Sequence, residues 1–144
     1  MLVVTDDDSL AGFLNEGLPL GGFWASWIAS GLQALEVFRL RQFDLVLIDA
    51  GLRSFDALEL MRRLRGTSSR SSDRTPRTKA PFVVVSEEPE PITHDEAATL
   101  GVAAVMSAPI ELEEIVQRLH EVFAAWRQDN PDTPLADSIA NLSA

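Results

Sequence analysis

The chain is predicted to be a doubly wound α/β domain built on a five-stranded parallel sheet. Short runs rich in aliphatic and β-branched residues recur along it, as in Leu45-Val46-Leu47-Ile48, with the composition of strands buried on both faces. Between these runs, apolar residues return at helical spacing. Several runs also stop at a carboxylate or a hydroxyl: Thr5-Asp6-Asp7 after the first, Asp49 after the third and Ser86 after the fourth. An open α/β sheet works outside the carboxyl ends of its strands, which is where these residues would gather.

Met1 to Val4 reads as the first strand. Leu10, Phe13, Leu14 and Leu18 then recur at helical spacing, with Asp8 or Ser9 as N-cap and Pro19 and Gly21-Gly22 as the stop. Phe23 to Ile28 is a second strand, with Phe23, Ala25 and Trp27 on one face and Trp24, Ser26 and Ile28 on the other. Trp24 and Trp27 therefore cannot both face inward, and one of them is open to a partner. Gly31 to Arg41 is a helix with Leu32, Leu35 and Phe38 inward, leading into the strand that ends at Asp49.

Phe55 to Arg65 is a helix with Leu58, Met61 and Leu64 on one stripe. Gly66 to Pro81 has no apolar periodicity and is dense in Ser, Thr and Arg, so residues 66–80 are expected to form a mobile basic insert. Phe82 to Ser86 is the fourth strand, followed by an acidic, Pro-rich loop. Thr93 to Gly101 has a capping-box start, Thr93 with Glu96, and a glycine stop. Val102 to Ser107 is the fifth strand, and Glu111 to Arg127 is a helix with Leu112, Ile115, Val116, Leu119, Val122, Phe123 and Trp126 on one face. Residues 1–127 form the domain, and 128–144 read as a polar tail or linker.

Composition narrows the function. With 46% hydrophobic and 24% charged residues the 144-residue chain is globular, and no apolar run reaches the length of a membrane span. There is no cysteine, hence no disulfide framework and no thiolate metal site; together these features point to the cytoplasm. A net charge of −10 disfavours nucleic-acid binding by this domain. The charge is unevenly placed, since residues 62–79 hold seven basic side chains against Asp73 alone. His94 and His120 lack ligand spacing.

Asp6, Asp7 and Asp49 would converge if the first and third strands are neighbours, and converging carboxylates require a compensating cation. A hard divalent ion with oxygen ligands, Mg²⁺ in the first instance, suits them, leaving Asp49 as a nucleophile towards phosphorus. The plainer alternative is that Asp6 and Asp7 cap the first helix and that Ser86 caps a turn. Arg53 is either a solvated loop residue or a cation serving the same cleft.

The ordered set Val3-Val4-Thr5-Asp6-Asp7, Asp44-Leu45-Val46-Leu47-Ile48-Asp49 and Val83-Val84-Val85-Ser86, with the spacing on to Gly101 and Ala108-Pro109, resembles the receiver domain of two-component response regulators. The resemblance implies a flavodoxin-like, CheY-like (βα)5 fold with strand order 2-1-3-4-5. It implies that Asp49 is the phosphoacceptor, that Asp6 is a Mg²⁺ ligand, with Asp7 enlisted by a one-residue shift of register, and that Gly51 offers a backbone carbonyl to the metal. Ser86 would be the switch hydroxyl, and Ala108–Pro109 a cis peptide. The implied partners are a histidine kinase or phosphotransfer protein, and an output domain or partner protein at the face formed by residues 93–118; a homodimer is also compatible. The implied role is signalling, not enzymatic turnover.

Departures from the family pattern qualify that role. The usual lysine corresponds to Ala108, the switch aromatic to Val105, the first of two acids to Thr5, and the proline and glycine after the acceptor to Arg53 and Ala57. The expectation is thus an atypical receiver, a docking module with weak or no phosphate switching. An ordinary phospho-accepting receiver is the alternative. A haloacid-dehalogenase-type phosphohydrolase fits less well, because it wants a second Asp where Gly51 stands. A flavodoxin-like flavin site is disfavoured by Asp6-Asp7-Asp8, which would repel a phosphate.

Overall fold

The computed structural model describes residues 1–72 and 74–133. Its strands are β1 (Leu2–Val4), β2 (Ser26–Ile28), β3 (Val46–Asp49), β4 (Phe82–Ser86) and β5 (Val102–Ser107). The helices are α1 (Asp8–Gly17), α2 (Gly31–Leu40), α3 (Ala57–Arg65), α4 (His94–Leu100) and α5 (Leu112–Asp129). All pairings are parallel and the strand order is β2-β1-β3-β4-β5, as the resemblance implied.

Because side chains alternate across a strand, each central strand feeds two cores. Leu2, Val4, Val46, Ile48, Phe82 and Val84 point to one side, where Phe38 of α2, Leu60, Met61 and Leu64 of α3 and Leu100 of α4 close over them. Val3, Leu47, Val83 and Val85 point to the other, against Leu14 of α1 and Ile115, Leu119 and Val122 of α5. Each of these large side chains contributes roughly 1.5–3 kcal/mol when fully buried. The doubly covered sheet is why the strands read as continuous apolar runs rather than alternating ones.

Glycines permit the close packing of α5. A Cβ on Gly17, at the end of α1, would collide with Leu112. Gly101 stops α4 as read, with a left-handed φ of +67°, and Gly66 ends α3 in the same way at +75°. In the capping box of α4, Thr93 Oγ1 accepts from the Glu96 amide at 3.1 Å and Glu96 Oε1 accepts from the Thr93 amide at 3.1 Å. Hydrogen bonds from the Thr93 backbone and side chain, with the charge of Arg62, outweigh a small desolvation cost and hold the Glu96 carboxyl below its ordinary value.

Several local expectations need correction. The N-cap of α1 is Asp7, one residue before Asp8 and two before Ser9. β2 is shorter than Phe23 to Ile28, since only Ser26–Ile28 pairs with β1. Phe23 and Ala25 nevertheless pack on the α1/α5 side, while Trp24 is 75% exposed. Leu32 points outward at 57% exposure, and Ala34 joins Leu35 and Phe38 in the core, because that set forms the inward stripe of a helix starting at Gly31. On α3 the deep residues are Leu60, Met61 and Leu64, with Leu58 half-buried.

The segment after α3 contains no helix or strand among its described residues. Its last part is anchored: the Thr78 amide donates to Leu64 O at 2.9 Å, and Thr78 and Ala80 are buried. Arg65 completes the anchor, donating to Thr78 O at 2.7 Å and Leu100 O at 2.8 Å with its guanidinium 3.7 Å above the Phe82 ring. Burial lowers its pKa to about 10. Arg70 and Arg74 are exposed on turns before that anchor. Limited trypsin digestion is therefore expected to cut first after Arg70 or Arg74, with Arg77 and Lys79 following. Mass spectrometry of the first fragments checks this, and earlier cleavage within residues 1–60 would contradict it.

Candidate functional site

The pairing of β1 with β3 sets Val4 opposite Ile48, so the next residues, Thr5 and Asp49, emerge side by side at the carboxyl edge. Asp49 is nearly buried, at 9% exposure, and both of its oxygens are engaged. Thr5 Oγ1 donates to Oδ2 at 2.7 Å, and the Gly51 amide donates to Oδ1 at 2.8 Å. Thr5 is itself fixed, since its hydroxyl oxygen accepts from the Asp7 amide at 3.1 Å and its carbonyl accepts from Trp27 Nε1 at 2.8 Å. This accounts for Trp27, whose indole N–H ties β2 to the end of β1 while the ring remains 39% exposed.

The other two aspartates have separate tasks. Asp7 Oδ1 accepts from the Ser9 and Leu10 amides at 2.9 and 3.2 Å, satisfying orphan donors at the start of α1. Asp6 reaches across to the loop after β3. Its Oδ2 accepts from the Arg53 amide at 2.8 Å and the Ser54 amide at 3.3 Å, and Oδ1 lies 3.7 Å from Arg53 Nε. Burial alone would raise the pKa of Asp6, but those two amides and the Arg53 charge hold it below its ordinary value.

Ser86 is buried at the end of β4, where its Oγ accepts from the Glu88 amide at 2.9 Å and so closes the following turn. Its carbonyl accepts from the Ala108 amide at 2.8 Å, drawing the end of β5 towards the cleft. The Ala108–Pro109 bond is cis.

These residues line a cleft of about 930 Å³ that includes Asp6, Asp7, Asp49, Gly51, Ser86 and Ala108. Glu87 and Glu88 add two more carboxylates to its wall, and Arg53 is the one Lys, Arg or His among its described lining residues. Among the described residues, no three Asp, Glu or His side chains are grouped as a metal cage. The oxygen chemistry still suits a hard cation: Asp6, Asp49 and Gly51 border one cleft, and Mg²⁺ typically takes only one or two carboxylates and keeps its waters. Asp7 lines the same cleft, with its Oδ1 engaged in capping α1.

Asp6, Asp7, Asp49, Gly51 and Ser86, singled out from the sequence, line one cleft, but two of the contacts there were not foreseen. One is the Thr5–Asp49 hydrogen bond, for which the only signal was a hydroxyl residue at the end of a strand neighbouring the one that ends in Asp49. The other is the pair of backbone donors from Arg53 and Ser54 to Asp6, which no side-chain pattern announces.

The comparisons with known proteins agree with this architecture. The family model described as the response regulator receiver domain matches residues 1–120. Among curated relatives, the transcriptional activator protein IrlR of Burkholderia pseudomallei (strain 1026b) is 23% identical over 123 residues, covering 85% of this chain and 49% of that protein. The response regulator MprA of Mycobacterium sp. (strain KMS) is 24% identical over 135 residues, covering 93% and 55%. The chain thus spans about half the length of the curated relatives it matches. Among solved structures, a response regulator receiver domain (CheY-like) from Methylobacillus flagellatus superposes with a TM-score of 0.67 at 27% identity, covering 84% of this chain and 95% of that one. A sensor protein from Polaromonas sp. JS666 superposes with a TM-score of 0.70 at 29% identity, covering 86% and 94%.

The Thr5 hydroxyl is expected to fix Asp49 at a measurable energetic weight. Thr5→Val keeps the shape but removes a donor to a nearly buried carboxylate, a loss of roughly 1.5–3 kcal/mol for a hydrogen bond to a charged group. Urea unfolding of the two proteins checks it. Equal stability would mean that Asp49 is held by other contacts.

Proposed function

This chain belongs to the response regulator receiver family, and from that membership we propose that it is an atypical receiver: a cytoplasmic signalling and docking module in which Asp49 occupies the phosphoacceptor position but phosphate switches the domain weakly or not at all. One observation carries the reading. Both Asp49 oxygens already have donors, while the opposite wall of the cleft presents the methyl group of Ala108 instead of a cation.

Phosphate can move a two-state equilibrium only through contacts that differ between the states. A lysine at position 108 would add a charge-assisted contact to the phosphoryl oxygens, roughly 1.5–3 kcal/mol, and this chain lacks it. Ser86 is the remaining switch group, and its one hydrogen bond contributes on the order of 1 kcal/mol, which shifts populations several-fold. Val105 lies 40% exposed on β5 between exposed Ala103 and Ser107. Its short branched side chain has few rotamers with which to relay a change.

Asp6, Asp49 and the Gly51 carbonyl are the groups that would hold Mg²⁺, weakly. The ion would supply positive charge to phosphoryl oxygens. In this chain Thr5 and the Gly51 amide orient Asp49, and the Ser86 hydroxyl stands ready on the neighbouring strand.

The partners we propose are a histidine kinase or phosphotransfer protein at the cleft, and an output domain or partner protein on the face of residues 93–118. Curated relatives named as transcriptional activators and response regulators support such an output. The same face is open to a second copy of the chain. An ordinary phospho-accepting receiver is the second reading, favoured by Ser86 lining the same cleft as Asp49.

A beryllofluoride phosphate mimic separates the two readings. In the unmodified protein we expect amide shifts confined to the surroundings of Asp49. In Ala108→Lys they should grow, and in Ala108→Lys/Val105→Tyr they should extend through residues 93–118. Large shifts across that face in the unmodified protein would refute weak switching and establish the ordinary receiver.

A further inference from the structure

We infer that Arg53 is a built-in counter-cation for Asp6, which competes with a divalent ion and keeps this cleft weakly responsive to metal. The inference rests on the reading above of Asp6 and Asp49 as the cation-facing carboxylates.

The cleft is strongly unbalanced in charge. Five described carboxylates line it, Asp6, Asp7, Asp49, Glu87 and Glu88, against the guanidinium of Arg53. Asp7 Oδ1 is engaged by its capping bonds to Ser9 and Leu10, and Asp49 is held by Thr5 and Gly51. Asp6 is the carboxylate with an ionic partner: Oδ1, the oxygen not taken by the two backbone amides, faces Arg53 Nε at 3.7 Å. That oxygen is the one most available to a metal, so a metal at Asp6 must share it with the guanidinium or displace it.

The Arg53 side chain is 81% exposed, so it can swing into water at little cost. It therefore weakens metal binding without abolishing it. Thr5 acts in the same direction, because a neutral donor at that position adds no negative charge to attract a cation.

Geometry makes the test selective. The Arg53 amide, not its side chain, makes the 2.8 Å bond to Asp6, so Arg53→Ala preserves the loop tie and removes only the charge. Repulsion between a monovalent and a divalent cation a few ångströms apart in a solvent-exposed site corresponds to roughly a fivefold to tenfold change in affinity.

The experiment is a Mg²⁺ titration followed by backbone amide shifts, at fixed ionic strength, on the full chain and on Arg53→Ala, Arg53→Lys and Asp49→Asn. We expect Arg53→Ala to bind Mg²⁺ about fivefold to tenfold more tightly and Arg53→Lys to stay near the unmodified protein. The gap between Arg53→Ala and the unmodified protein should narrow near 1 M salt, where the screening length falls to about 3 Å. Equal or weaker binding by Arg53→Ala, or tightening in Arg53→Lys as large as in Arg53→Ala, would overturn the role of Arg53 and leave the atypical-receiver reading standing. A Mg²⁺ response unchanged in Asp49→Asn, or absent from every protein, would overturn the role of Arg53 together with the reading of Asp6 and Asp49 as cation-facing carboxylates.

Discussion

The parallel pairing of β1 with β3 is the constraint on which the site depends. It places Val4 beside Ile48 in the middle of the sheet, both facing one core, while Val3 beside Leu47 faces the other. One residue further on the strands leave the apolar interior, and Thr5 meets Asp49 at 2.7 Å. A slip of one residue would turn every core side chain to the wrong face, so the burial that stabilises the sheet also sets the distance between these two groups. The adjacent turns follow from the same edge: Asp7 caps α1, Asp6 crosses to the loop after β3, and Ser86 closes the turn after β4.

The result is a cleft in which the strand-end carboxylates, Asp6, Asp7 and Asp49, already hold donors. Converging carboxylates raise the free energy of a site unless donors or cations compensate. Here the compensation comes mostly from neutral donors, namely a hydroxyl and several backbone amides, and from one exposed guanidinium. A site so arranged gains less from an arriving metal or phosphoryl group than one left with unpaired charge. The membership in the receiver family and the proposed muted response are therefore compatible. In the proposed reading the scaffold is retained, while Thr5, Ala108 and Val105 stand where the groups that make phosphate energetically decisive would be.

The fold was legible because burial on both faces leaves a plain mark, four or five consecutive aliphatic residues, at β1, β3 and β4. Amphipathic helices and glycine stops were equally plain. β2 was harder: at the sheet edge it pairs over only Ser26–Ile28, and Phe23 and Ala25 are drawn inward by packing against the α1/α5 side without a strand partner. Leu32 misled for a related reason, since an apolar residue in the first turn of a helix need not lie on the inward stripe. Within the site, residue types at strand ends located the cleft. Which carboxylate caps a helix and which one faces a loop depends on backbone amides, and those leave no trace in side-chain identity.

The central claim is that Asp49, with both oxygens already holding donors and Ala108 in place of a cation in the cleft, is neither readily modified nor able to switch the domain. Incubation with a small-molecule phosphodonor and Mg²⁺, followed by intact mass, measures this most directly, with Asp49→Asn as the blank. The account predicts that only a minor fraction of the chain gains a single phosphoryl mass, and that the blank gains none. Near-complete modification of the unmodified protein, lost in Asp49→Asn, would contradict it.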